Sequence, residues 1–166
     1  MAEKRYWRIV TGHPRQPTDE IDARSIHLGD WLRRNYISIG STQSPPDQRH
    51  VSMDKFHKEM KIGDKIVAYG DNCVWAVGEV ISESYDKDEK FLYSHRRDVH
   101  WYKIVRRDVD HFPQSVRNKL SDANSITPLD YEDWDAIIAC LSIFRRMQLS
   151  VKLPVSTESS QRISST

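Results

Sequence analysis

The stretch from residue 65 to residue 107 constrains the fold more than any other part of the chain. It carries three apolar runs, "KIVAY", "VWAVGEVIS" and "VHWYKIV". The first two are joined through Gly70, Asp71 and Asn72, residue types that tolerate a left-handed backbone, which predicts a hairpin. In the third run, Val99, Trp101, Lys103 and Val105 fall on one side of an extended chain, with His100, Tyr102 and Ile104 on the other. Strands therefore dominate the middle of the molecule. "RYWRIV" and "YISIGS" read as two more, the first stopped by the Gly- and Pro-containing "TGHPRQPTDE".

Helices are inserted among these strands and appended to them. The mixed pattern from Ile21 to Arg34 fits a short helix interrupted near Gly29. Ser52 is placed to cap a helix with Met53, Phe56 and Met60 on one face, and "KIGDK" forms the turn into the next strand. Residues 83–94, "ESYDKDEKFLYS", read as an acidic, aromatic loop, and "FPQSVRNKLS" as one or two helical turns. The final helix is the clearest: Asp130 caps it, Asp133 at the third position is favoured by the dipole, and Tyr131, Trp134, Ile137, Ile138, Leu141 and Phe144 recur at helical spacing. The expected fold is α+β, a small curved mixed sheet or partly closed barrel of about five or six strands with flanking helices. One domain spans residues 1–149, and 150–166 is a flexible Ser/Thr-rich tail or linker.

Composition excludes more than it selects. Lys and Arg number 25 against 24 Asp and Glu, a net charge of +1, so any basic surface must be local. No apolar run approaches the roughly 18 residues of a membrane span, and the chain reads as soluble and cytoplasmic with no membrane partner. Cys73 and Cys140 stand far apart, and the seven histidines are scattered, so neither a metal nor another cofactor is expected. No nucleophile elbow, phosphate loop or HExxH motif occurs, which argues against an enzyme.

Two features stand out. Residues 91–107 place Arg96, Arg97, Lys103, Arg106 and Arg107 against Asp98, five positive charges less one negative for a local +4. Aromatics interleave with them. Cations attract phosphate and aromatic faces stack bases; the same composition also suits a solvated strand flank whose arginines pair with nearby acids. The second feature is a surplus of aromatics near loops: Trp31, Tyr36, Trp75, Tyr85, Phe91 and Tyr93. Trp7, Trp101 and Trp134 belong to periodic elements and are assigned to packing. Trp75 fits core or ligand contact, whereas Tyr85, Phe91 and Tyr93 flank the acidic loop, where a cage for a flipped base or a methylated cation would form.

The order of these motifs resembles the PUA-like superfamily, in its EVE and YTH branch. "RYWRIV", "YISIGST", "FHKEMKIGDKIVAYGDNCVWAVGEVISESYD", "HRRDVHWYKIVRRDV" and "ITPLDYEDWDAII" are similar to successive family segments across residues 4–145. The resemblance implies a non-enzymatic reader that holds an extruded modified base in an aromatic pocket. DNA is favoured slightly over RNA, because "HRRDVHW" is nearer the domains of modification-dependent restriction systems, and an effector domain or protein is an implied partner. Carried over, the base pocket comprises Trp31, Ser41, Thr42, Trp75, Tyr85, Asp86 and Tyr93, and the phosphate side His95, Arg96, Arg97 and Arg106. Relatives place a tryptophan wall where this chain has Ile39, Gly40 and Ser41, so Trp31 is the expected substitute, and YTH domains have an aromatic at Arg97. An interaction module taking a small ligand, nucleotide or methylated tail in the same cage is the alternative.

Overall fold

The computed structural model describes residues 3–10, 28–39, 52–86 and 95–142. Seven strands are formed: β1 (Tyr6–Val10), β2 (Tyr36–Ile39), β3 (Lys65–Gly70), β4 (Cys73–Val80), β5 (Tyr85–Asp86), β6 (His95–Asp108) and β7 (Ile126–Leu129). They join in one mixed sheet of order β2-β6-β4-β3-β1-β7, with β5 paired to β6 off this path. Only β1 and β3 run parallel; the other pairings are antiparallel. The α+β expectation holds, with one strand more than anticipated. Among the described residues there are four helices: α1 (28–34), α2 (52–59), α3 (Gln114–Leu120) and α4 (131–142). α2 is π-wound over Lys55–Glu59, and no described helix is long and apolar enough to cross a membrane. The predicted tail, residues 150–166, lies outside the described residues.

Alternation along the strands builds two cores. Trp7, Ile9, Ile66, Ala68, Ala76 and Val80 pack with Trp31 of α1 and Phe56 of α2. Tyr69, Val67, Val74 and Val77 face the other way, onto Val116 and Leu120 of α3 and Ile137 and Leu141 of α4. The Phe56 side chain is completely buried, a transfer of about 1.5–3 kcal/mol that docks α2 without help from its short length. The β3–β4 connection is the predicted hairpin, with Gly70 opposite Cys73 and positive φ at both Asp71 and Asn72, the backbone signature of a type I′ turn.

Gly29 is helical in α1, and residues 21–27 of the expected helix lie outside the described residues. One element departs from the expected pattern. In β6, Val77 pairs with Lys103 and Gly78 with Trp101, which leaves Tyr102 unmatched on β4. This bulge breaks the period of two: Val99 and Trp101 join the first core, while Val105 packs on the second. The "KIGDK" turn is held by Asp64, whose buried carboxylate accepts from Trp7 Nε1 (2.9 Å), the Lys61 amide (2.9 Å) and the Arg5 amide (3.2 Å). Those bonds anchor the start of β1 beside β3.

Candidate functional site

His95 is where three strand ends meet. It pairs with Ile39 at the end of β2 and with Asp86 at the end of β5. The strands that precede the two segments expected to bound the base pocket, β2 and β5, therefore end on either side of one residue. Ser41, Thr42 and Tyr93 lie in those segments and outside the described residues.

On one face, a row of side chains crosses β2, β6 and β5. The Arg96 guanidinium lies over the Tyr36 ring, 4.2 Å from its centroid, and Arg96 pairs with Tyr85 on the neighbouring strand. Tyr85 donates its hydroxyl to Asp98 Oδ1 at 2.6 Å. Burial and that hydrogen bond push the Tyr85 phenol up to about 12, so it remains a neutral donor. Arg96 itself has no carboxylate of a described residue within 4.0 Å, and its buried Nε has no hydrogen-bond partner. A stacked, oriented guanidinium with donors to spare is suited to phosphate or another planar anion.

The opposite face is engaged internally. His95 Nδ1 lies 2.5 Å from Asp86 Oδ1, and its ring meets the His57 ring edge-on at 4.9 Å. His57 Nδ1 in turn lies 2.7 Å from Ser84 Oγ. Burial, with smaller contributions from His95 and Arg97, holds the His57 imidazole below its usual value. As pH falls below about 6.5, the unfolded chain takes up a proton at this position that the folded chain refuses. Acid unfolding of the wild type is thus expected to begin nearer neutrality than that of His57→Asn, as measured by urea midpoints from pH 7.5 to 5; coincident pH profiles would contradict this.

Several predicted site residues turn out to be structural. Trp31, the proposed pocket wall, is buried in the first core: its Nε1 donates to Ser38 Oγ at 2.9 Å and its carbonyl accepts from Trp101 Nε1 at 2.8 Å. Arg97, placed on the phosphate side, is completely buried. Its Nε donates to Phe56 O (2.7 Å), Nη1 to Ser82 O (3.0 Å), and Nη2 to Met60 O (2.9 Å) and His57 O (3.3 Å). Every arm of this arginine binds the protein's own carbonyls, which ties the end of α2 to the sheet.

Trp75 and Arg106 lie elsewhere. Trp75 is the extra residue of a bulge, since Tyr69 pairs with Val74 and Ala68 with Ala76. Its Nε1 bonds Gly70 O at 2.8 Å, and Arg106 covers its ring at 5.4 Å. Ten residues of β6 separate Arg106 from Arg96, roughly 30 Å at ordinary strand rise. The local +4 is therefore dispersed. A strand sends successive side chains to opposite faces, one arginine is consumed in the interior, and Lys103 Nζ reaches Leu141 O at 3.0 Å. The structure keeps Tyr85, Asp86, His95 and Arg96 together and adds Tyr36, His57, Ser84 and Asp98; of these, Tyr36 carried a signal in the sequence as an aromatic near a loop and Asp98 as part of "HRRDVHW", whereas His57 and Ser84 carried none.

With this arrangement in view, a family model described as "Domain of unknown function (DUF8426)" matches residues 24–130. The chain belongs to the DUF8426 family. No curated protein matches it. Among solved structures, this DUF8426 domain is similar to the Mmi1 YTH domain, with a TM-score of 0.55 at 9% identity over 87% of this chain and 98% of that one. It is also similar to the YTH domain of Zygosaccharomyces rouxii MRB1 solved in complex with N6-methyladenosine RNA, with a TM-score of 0.52 at 12% identity over 82% and 85% of the two chains. At such identities the likeness establishes a YTH/PUA-like fold for this DUF8426 domain.

Proposed function

We propose that this DUF8426 domain is a binding module that reads a modified base in a nucleic acid, without turnover. The observation that carries the reading is Arg96, a guanidinium stacked on Tyr36 beside exposed Tyr85, with no carboxylate of the described residues within 4.0 Å of it. In this reading Arg96 holds a phosphate, and the base enters beside His95, where β2 and β5 end, with Ser41, Thr42 and Tyr93 as further pocket residues. Flipping costs a few kcal/mol, and stacking on an aromatic face returns about 1–3 kcal/mol. The fold shared with a YTH domain solved on N6-methyladenosine RNA supports the same class of ligand; the restriction-associated character of "HRRDVHW" is the argument for DNA.

The test is a binding panel of short RNA and DNA oligonucleotides with and without methyl, hydroxymethyl and glucosyl marks. One marked oligonucleotide is expected to bind at least about tenfold better than its unmarked twin. Arg96→Ala is expected to weaken all of them about equally and to lower the salt slope by about one. Equal affinity across every mark, or an unchanged salt slope in that variant, would sink the reading. The Asp98 carboxylate, which accepts from the Tyr85 hydroxyl, favours one second reading, a methylated cation in an aromatic cage. That ligand would show weak salt dependence and would bind no less tightly to Arg96→Ala.

A further inference from the structure

Among the described residues two arginines are completely buried, and they differ in one respect. Arg97 uses all three of its nitrogens on carbonyl oxygens. Arg8, in the middle of β1, places its whole set of contacts on Nη2, which donates to Asp122 O (3.2 Å), Asn124 O (2.8 Å) and Thr127 Oγ1. Its Nε and Nη1 are buried without a partner, and so is the hydroxyl of Tyr69 on β3. Tyr69 and Arg8 are close enough to perturb one another electrostatically. No carboxylate of a described residue lies within 4.0 Å of the guanidinium. Asp122, the acid whose charge acts on Arg8, already accepts from the amide and side chain of Asn124 at 3.1 and 3.0 Å.

Burial lowers Arg8 to about 10, so it stays cationic at neutral pH. A buried charge with no carboxylate in direct contact is costly, and Asp122 acts on this one only from beyond ion-pair distance. Two of the three unused groups, the guanidinium nitrogens, only donate, and the phenol donates as well as accepts. A constellation of donors around a buried positive charge selects an acceptor-only ligand. We propose that Arg8 Nε and Nη1, with the Tyr69 hydroxyl, bind a small inorganic anion of chloride size. The anion clamps β1 and β3 to the 121–125 turn through Arg8 and takes up the unused donors at the edge of the second core. This site lies apart from Arg96 and does not depend on the nucleic-acid reading.

Chloride is the probe. Thermal unfolding of the full chain is followed from about 5 to about 500 mM chloride, with gluconate keeping ionic strength constant. The wild-type midpoint is expected to rise by about 4 °C per tenfold chloride once the site begins to fill. Tyr69→Phe retains the ring and removes one donor, and is expected to fold and to lose at least half of that slope. Superimposable midpoints in chloride and gluconate would overturn the proposal, as would a Tyr69→Phe variant with the wild-type slope. Crystals soaked in bromide give a second measurement: an anomalous peak between Arg8 and Tyr69 supports the site, and water alone at that position refutes it.

Discussion

Arg97→Ala is expected to lower the stability of the domain by about 4 kcal/mol, read as a shifted urea midpoint with an unchanged slope. The variant removes donors from four buried or half-buried carbonyls, those of Phe56, His57, Met60 and Ser82. Three of these close the end of α2, which lacks any cap of its own beyond the Met60 amide bonding Lys55 O. The Phe56 ring also loses the guanidinium lying 5.7 Å from its centroid. Arg97→Lys is expected to recover only a minor part, because one ammonium cannot span four acceptors that a planar fork reaches. A loss below about 1 kcal/mol in Arg97→Ala would show that water replaces these bonds without cost. The consequence for function is direct. A double Arg96/Arg97 replacement would confound binding with unfolding, so Arg96→Ala alone reports on phosphate.

How far this was legible in the sequence depends on which interaction decides each element. Strands β1, β2, β3 and β4 followed from local alternation and a two-residue turn, signals that need no tertiary knowledge. The face of α2 bearing Phe56 and Met60, and the start of α4, where Asp133 Oδ2 accepts the Asp130 amide at 2.8 Å, were equally local. What escaped was decided across the chain. β7 contains Pro128, which reads as a strand breaker, yet β7 is an edge strand and needs a donor on one side only. β5 exists because Tyr85 and Asp86 find Arg96 and His95 as partners, not because two residues favour extension. The arginine run misled for the same reason: charge in sequence says nothing about which face a residue takes or whether carbonyls are waiting there. Trp31 is the mirror case, an aromatic near a loop that a helix turns inward. Of the site itself, Tyr85, Asp86, His95 and Arg96 were accessible through their order along the chain, whereas His57 and Ser84 are joined to it only by the fold.

Gly78→Ala is expected to be the most damaging single methyl in the domain, with a loss of about 3 kcal/mol or more. A Cβ at this position would sit 2.4 Å from His100 O and 2.9 Å from Trp101 Cε3. The first obstacle is backbone and cannot rotate aside, so β4 and β6 must part at the bulge where Gly78 faces Trp101. Displacing Trp101 strains its bond to the Trp31 carbonyl and with it the seat of α1, and so the near-ultraviolet dichroism of the tryptophans is expected to change together with the unfolding midpoint. Gly63 supplies the contrast. Its φ of +95° disfavours a side chain, but the nearest atom to a Cβ there is Glu79 Oε1 at 3.8 Å, so Gly63→Ala meets backbone strain alone and is expected to cost about 1–2 kcal/mol. The ordering is the discriminating result. If Gly63→Ala proved the more destabilising of the two, close approach of β4 to β6 would not be what requires glycine at position 78.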